Sequence, residues 1–384
     1  MAVYKYFGPG CSMFGYGCAE GLGEELSRRA YAKALVVTDR SIVELGIAAK
    51  IISVLDGAGI GHALFAEVKP NPTVLNVNAG LALLKAEGCD FIVTIGGGSS
   101  HDCGKAIGIL AANGGAVEDY KGVDKSAKKS LDIVAVNTTA GTGSECTRAY
   151  VISDEEKRTK TGIKDRNALA TIAVNDHSLM MSLPKKLTAA TGMDALVHAV
   201  ECYISKNGFL LTSELALAAI RCVFSWLPEA VRSPSNEKAR EGMAVAEYLA
   251  GLAFGNGGVG MVHATSHQLS AVYDLPHGLC NAILLPPVMR FNKRAAMGKL
   301  AEIGRFLRPL EAEGKDDETM ADLAIAEFER LSAEIGTLVQ LRTLGVRKED
   351  FGLLAEKALV DGSMGNNPVQ PTVRDVMDVL ASVY

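Results

Sequence analysis

The chain reads as an α/β half followed by an all-α half, and three observations carry that reading. Up to about residue 180, short β-branched apolar runs alternate with amphipathic stretches, the pattern of a parallel sheet covered by helices. Two of these runs end directly in glycine- and threonine-rich turns, at residues 96–100 and 137–145. After Pro184 the texture changes to long Ala- and Leu-rich amphipathic segments, with no period-2 alternation as far as Tyr384. The expected domains are therefore 1–180 and 181–384, and 384 residues supply enough chain for two cores.

Taken in order, residues 34–38 form the first clear strand, followed by a helix over about 42–56 and a strand around 62–65. Lys69-Pro70-Asn71-Pro72 is a proline-flanked turn, and Thr73 stands where it would cap the next helix. Residues 91–95 are a continuous apolar strand of the buried type; a helix from about 101 to 112 follows its glycine turn. Residues 133–136 form another strand, and 150–174 a hairpin plus a last strand, with Asp154, Glu155, Glu156 and Lys157 at the hairpin turn. The longest polar stretch, 311–318, reads as a solvated loop between helices, and there are no internal repeats or low-complexity tracts.

Bulk properties narrow the partners. A net charge of -5 and a pI near 5.9 give no basic footprint, which argues against nucleic acid and anionic membrane surfaces and for a small molecule. The eight cysteines form no CxxC pair, the opening MAVYKYFGPG lacks a charged and apolar leader pattern, and no uninterrupted apolar run reaches the ~18 residues of a membrane span. A reducing, cytoplasmic compartment is expected.

Glycines at a strand-to-helix turn let backbone N–H groups approach a pyrophosphate, and the helix dipole assists. Gly97, Gly98 and Ser99 fit that role, although their turn is neither a G-x-G-x-x-G nor a G-x-x-x-x-G-K-[ST]; a tight structural turn is the alternative. The second turn, containing Thr138, Thr139 and Thr142, also follows a strand's carboxyl end, where open α/β sheets bind ligands. Together they suggest a Rossmann-like nucleotide-binding domain. Asp39 ends an earlier strand, where a carboxylate would accept ribose hydroxyls and favour NAD over NADP; its other reading is a helix N-cap.

The helical half concentrates metal-binding chemistry. Of seven histidines, four fall at 198, 263, 267 and 277. Asp194 and His198 are four apart, as are His263 and His267, so on helices each pair projects from one face within reach of a single ion, while His277 lies beyond Pro276 at a helix-breaking turn. One carboxylate with imidazoles suits Fe(II), Zn(II), Co(II) or Ni(II), and a catalytic site would leave one coordination position open and one histidine free to handle protons.

The runs GGGSSHDCGKAI (96–107), NTTAGTGSE (137–145), LTAATGMDALVHAVE (187–201) and VHATSHQLSAVYDLPHGLCNAILLP (262–286) resemble the iron-containing (group III) alcohol dehydrogenases, in the branch of 1,3-propanediol, methanol and lactaldehyde dehydrogenases. The resemblance spans nearly the whole chain and implies the dehydroquinate synthase-like fold. It implies Asp194, His198, His263 and His277 as metal ligands, Fe(II) as the expected ion, and His267 as the unligated catalytic histidine. Gly97, Gly98 and Ser99 would hold the pyrophosphate of NAD, with Asp102 nearby; Asn71, Thr138, Thr139, Thr142, Thr147 and Lys160 would line the cofactor site, and Phe254 the substrate. A homo-oligomer is expected. The chain departs from the common pattern at Ser100, Gly143, Thr265-Ser266, Ser270-Ala271 and Val369.

The implied reaction is hydride transfer between a small primary alcohol or diol and NAD, with metal polarising the oxygen and His267 relaying the proton. A metal- and NAD-dependent lyase of the dehydroquinate synthase type is the rival, disfavoured by the apolar surroundings of Phe254, Val259 and Met261. A non-catalytic, metal-stabilised scaffold is a third reading, which would have no use for an unligated His267.

Overall fold

The computed structural model describes residues 3–155 and 159–384. They form two compact units, Tyr6–Ser182 and Leu183–Tyr384, the second joined by residues 3–5, where Tyr4 stacks on Phe209 at a centroid distance of 4.7 Å.

The first unit comprises β1 (Cys11–Phe14), α1 (Leu22–Ser27), β2 (Lys33–Val37), α2 (Arg40–Glu44), α3 (Ile47–Gly57), β3 (Gly61–Phe65), α4 (Val74–Ala86), β4 (Phe91–Gly96), α5 (Gly98–Asn113), β5 (Gly122–Val123), β6 (Ile133–Asn137), β7 (Ala149–Asp154), β8 (Thr159–Lys164) and β9 (Ile172–Asn175). Six strands make a wholly parallel sheet in the order β1-β9-β6-β4-β2-β3. β4 and β6 are buried along their whole length because helices cover both faces. Leu35, Val37 and Ile92 pack with Val77 and Ile107 on one face, and Ala34, Val36 and Val93 with Ile51 and Leu55 on the other. After β2 the chain adds β3 outward, then returns to lay β4 on β2's other side, so the topological switch point lies between the carboxyl ends of β2 and β4, the crevice where such sheets bind ligands.

The expected strands are present, and β7 pairs antiparallel with β8 beside β5. Of the hairpin-turn residues, Glu156 and Lys157 lie outside the described residues. The structure corrects two expectations here and adds one strand. The helix expected over 42–56 is two, because Gly46 at φ 74° leaves the helical region between α2 and α3. The helix after the glycine turn starts at Gly98 rather than near 101, so the turn's last glycine is already helical. β1, unmarked by any long apolar run, pairs with β9 at the sheet edge.

The second unit is helical: α6 (Lys185–Ile204), α7 (Leu210–Arg232), α8 (Glu237–Gly257), α9 (Met261–Tyr273), α10 (His277–Leu307), α11 (Asp317–Glu334), α12 (Phe351–Leu359) and α13 (Val373–Ser382). α7 is long and apolar enough to cross a membrane. Its Ala216, Ala219, Ile220, Val223 and Leu227, at helical spacing, form one buried face, and it packs on α6 and α8. His277 opens α10 instead of sitting in a turn, because Pro276 ends the preceding loop and serves as the N-cap.

Candidate active site

Three helices deliver the side chains expected to bind metal. α6 carries Asp194 and His198, α9 carries His263 and α10 carries His277 on its first turn. The Nε2 atoms of His277, His263 and His198 stand 3.6, 3.7 and 4.0 Å from the same Oδ1 of Asp194. Donor atoms of Asp194, His263 and His277 all lie within 4.8 Å of one another, with His198 the widest of the four. Ligands at ~2.1 Å around a tetrahedral ion stand about 3.4 Å apart, so the convergence is of coordination size. His198 is held from behind by rings, stacking on His263 at 4.5 Å and on Phe254 at 4.0 Å between centroids. Phe254, the expected substrate-side aromatic, is thus stacked on the His198 ring.

Whether these residues fit a cation is tested by Asn281, one turn beyond His277. Its Nδ2 lies 2.6 Å from Asp194 Oδ1, 3.2 Å from His263 Nε2 and 3.1 Å from His277 Nε2. With His263 neutral, as a ligand must be, the amide's two N–H hydrogens face three acceptors, while its own buried Oδ1 has no hydrogen-bond partner among the described residues. The donor set therefore points lone pairs at one spot that protein groups do not saturate, and it fits a divalent ion. The electrostatics agree. Burial would raise the Asp194 carboxyl, but His198, His277 and His263 reverse this and hold it well below the usual range. Burial disfavours charge on His263, yet hydrogen bonds to Asp194 and Glu201 outweigh it and push the ring up to about 9, so a proton sits on its Nε2 until a cation takes that proton's place; burial keeps His277 well below its ordinary value.

His267 does not join this set, correcting the spacing argument that paired it with His263 on one ion. Its ring lies edge-on to His263 at 6.0 Å, and Nδ1 turns away to Asp361 Oδ2 at 2.9 Å. Burial works against the Asp361 charge, but the His267 bond keeps its carboxyl below the usual range.

In the α/β unit the two loops interlock. A Cβ at Gly97 would come 2.9 Å from Thr139 Oγ1, and one at Gly98 3.2 Å from Thr142 Cγ2, so both positions need glycine for close approach. Gly97 caps α5 without a side chain, leaving N–H groups at that helix start, Ser99 included, to other acceptors. Asp39 caps α2 through Ile42 N at 3.1 Å, the plainer of its two readings; its Oδ2 is 3.9 Å from where a Cβ on Gly96 would lie, which brings the carboxylate to the glycine turn at the switch point. Asp102 braces the loop: Oδ1 accepts from Ser144 Oγ at 2.7 Å and Oδ2 from Val151 N at 2.9 Å. Thr138 N donates to Gly96 O, Thr147 is buried with its hydroxyl toward Ser144 O, and Asn71 sits at φ 57° in its proline-flanked turn. The side chain of Lys160 lies outside the described residues.

Reasoning from sequence missed Glu201, Asn281, Lys105 and Asp361. The first two had a signal, since Glu201 is seven residues from Asp194 and Asn281 four from His277, each on a ligand's face. Lys105, seven beyond Gly98, is buried with Nζ on Ser144 O, Ser144 Oγ and Ala149 O. Asp361, 94 residues from His267, had no local signal.

Comparisons agree along the whole length. Residues 9–177 match the family model described as iron-containing alcohol dehydrogenase, and residues 188–384 the one described as Fe-containing alcohol dehydrogenase family, C-terminal. The 1,3-propanediol dehydrogenase of Citrobacter freundii is 43% identical over 384 residues, all of this chain and 99% of that protein. The NAD-dependent methanol dehydrogenase of Bacillus methanolicus is 40% identical over 98% of each. A crystal structure of 1,3-propanediol oxidoreductase superposes with a TM-score of 0.98 at 43% identity, each chain covered in full.

Proposed function

The chain belongs to the iron-containing alcohol dehydrogenase family, and from that premise we propose how its residues divide the work of interconverting a small primary alcohol or diol with its aldehyde. The convergence of three imidazole nitrogens on one Asp194 oxygen is the observation that carries the reading. Asp194, His198, His263 and His277 hold the ion, with Fe(II) the native metal. When bound, the ion supplies Lewis acidity toward the substrate oxygen and NAD supplies the hydride acceptor. Gly97, Gly98 and Ser99 bind the pyrophosphate at the start of α5, Asp39 takes the ribose hydroxyls, and Thr138, Thr139, Thr142, Thr147, Asn71 and Lys160 line the dinucleotide site, with Asp102 keeping its loop in shape. His267 moves the hydroxyl proton at Nε2, because Nδ1 is committed to Asp361. Phe254 excludes water beside His198.

The eight cysteines, none in a disulfide among the described residues, suit a cytoplasmic setting, and the working form is a homo-oligomer. Protein purified without oxygen and reloaded with Fe(II), Zn(II) or Ni(II) should form NADH from methanol, ethanol, 1,2-propanediol or 1,3-propanediol, with activity confined to reloaded samples. Full activity after exhaustive chelation, or no NADH from any alcohol despite tight NAD binding, would sink the reading; in the second case the rival lyase is tested next.

A further inference from the structure

We infer that Glu201 and Ser266 are positioning residues of the metal centre: they hold the Nδ1 atoms of His263 and His277 and so turn both Nε2 atoms toward Asp194. The inference rests on the metal-centre reading above. Glu201 is 1% exposed on α6, seven residues beyond Asp194 and three beyond His198, hence on the same helix face. Its Oε2 stands 2.7 Å from His263 Nδ1 and 3.3 Å from His263 N, and its Oε1 2.6 Å from Val262 N. α9 has no side-chain cap of its own at Gly260, and this carboxylate, arriving from another helix, takes up two of its orphan N–H groups with a charge that suits the helix N-terminus. Gly260 makes the approach possible: a Cβ there would come 3.2 Å from Glu201 Oε1 and 2.8 Å from Asn367 Oδ1.

A carboxylate only accepts, so His263 Nδ1 carries the hydrogen. At His277, Asn281 Nδ2 donates toward Nε2 at 3.1 Å, which leaves Nδ1 to carry the hydrogen. Ser266 is fully buried, and its hydroxyl hydrogen goes to His263 O at 3.1 Å, which leaves an oxygen lone pair for His277 Nδ1–H at 3.4 Å. Both rings are thus the Nδ1–H tautomer, with Nε2 free to serve as the donor atom. A ligand histidine whose other nitrogen is held this way needs no reorientation when the ion enters.

The test uses the full-length protein and Co(II) as the probe, with affinity from chelator competition and geometry from the visible spectrum of the bound ion. Glu201→Gln keeps one acceptor for the α9 N–H groups but offers His263 Nδ1 an amide donor, so Co(II) affinity should fall by roughly 10–100-fold and the spectrum shift. NAD binding and the unfolding temperature should stay near wild type, the pattern a purely structural role would not give. Ser266→Ala should weaken Co(II) by about 3–10-fold, the value of one hydrogen bond, and decides the matter if Glu201→Gln does not fold. Wild-type affinity and spectrum in both variants would overturn the inference while leaving the metal centre standing. Failure of the unmutated protein to bind Co(II), or equal binding by His263→Ala, would remove the metal centre and the inference with it.

Discussion

In the α/β unit Lys105 is buried with its ammonium on three oxygens, Asp102 has a donor on each carboxylate oxygen, and the glycine turn is filled by the threonines that touch it. In the helical unit, Asp194, His263 and His277 face one another as acceptors around a single amide nitrogen that cannot satisfy all three. The first arrangement pairs the Lys105 ammonium and both Asp102 carboxylate oxygens within the unit and leaves backbone N–H groups at the start of α5 to meet a ligand. The second is incomplete without a cation. Buried lone pairs pointed at one another cost free energy unless something positive joins them, so the helical unit spends stability on binding where the α/β unit spends shape.

That contrast can be broken by substitution. The largest effect is expected in the incomplete set: Asp194→Ala or His263→Ala should abolish stoichiometric metal and lower turnover by on the order of 10³-fold or more, checked by elemental analysis beside NADH formation. Normal metal content in either variant would contradict the assignment. Next comes the proton path. His267→Ala and Asp361→Asn should leave metal content intact and cut turnover by about 10²-fold and 10-fold respectively; a metal-free His267 variant would make it a ligand after all.

The α/β unit should respond in binding instead of chemistry. A methyl on Gly97 must displace Thr139, so Gly97→Ala should raise KM for NAD by about 10-fold with metal content unchanged. Loss of metal in that variant would erase the distinction drawn between the units.

The smallest effect concerns pH. Burial, aided by Lys105, pushes the His101 imidazole from 6.5 down to about 3, so it is neutral when folded. The unfolded chain binds one more proton between those values, so this group's contribution to stability is complete above 6.5 and declines as pH falls toward 3, by at most ~1.4 kcal/mol per unit. His101→Asn, which can still meet Thr94 Oγ1, should flatten the acid limb of thermal unfolding. Parallel acid limbs for both proteins would refute it.

The parallel strands were legible because a sheet covered on both faces must be apolar throughout, and residues 91–95 and 133–136 are. The break at Gly46 was not, since the apolar spacing runs through it and only the left-handed backbone interrupts the helix. At the site, His198 and Asp194 could be paired from spacing alone, as i and i+4 on one helix. His263 and His267 share that spacing, yet only His263 faces the carboxylate, because Glu201 draws its ring and Asp361 draws the other.

What the sequence determined by itself is what depends on neighbours in the chain: the two kinds of secondary structure, the glycine turn at a strand end, the capping role of Thr73 and the supply of metal-binding side chains. The tertiary structure alone decided which of those side chains converge. Helices α6, α9 and α10 had to pack before Asp194, His263 and His277 could meet, and Asp361 had to arrive from 94 residues away before His267 could be turned aside. Coordination and hydrogen bonding act over a few ångströms, and separation along the chain says nothing about distances of that size between residues on different helices.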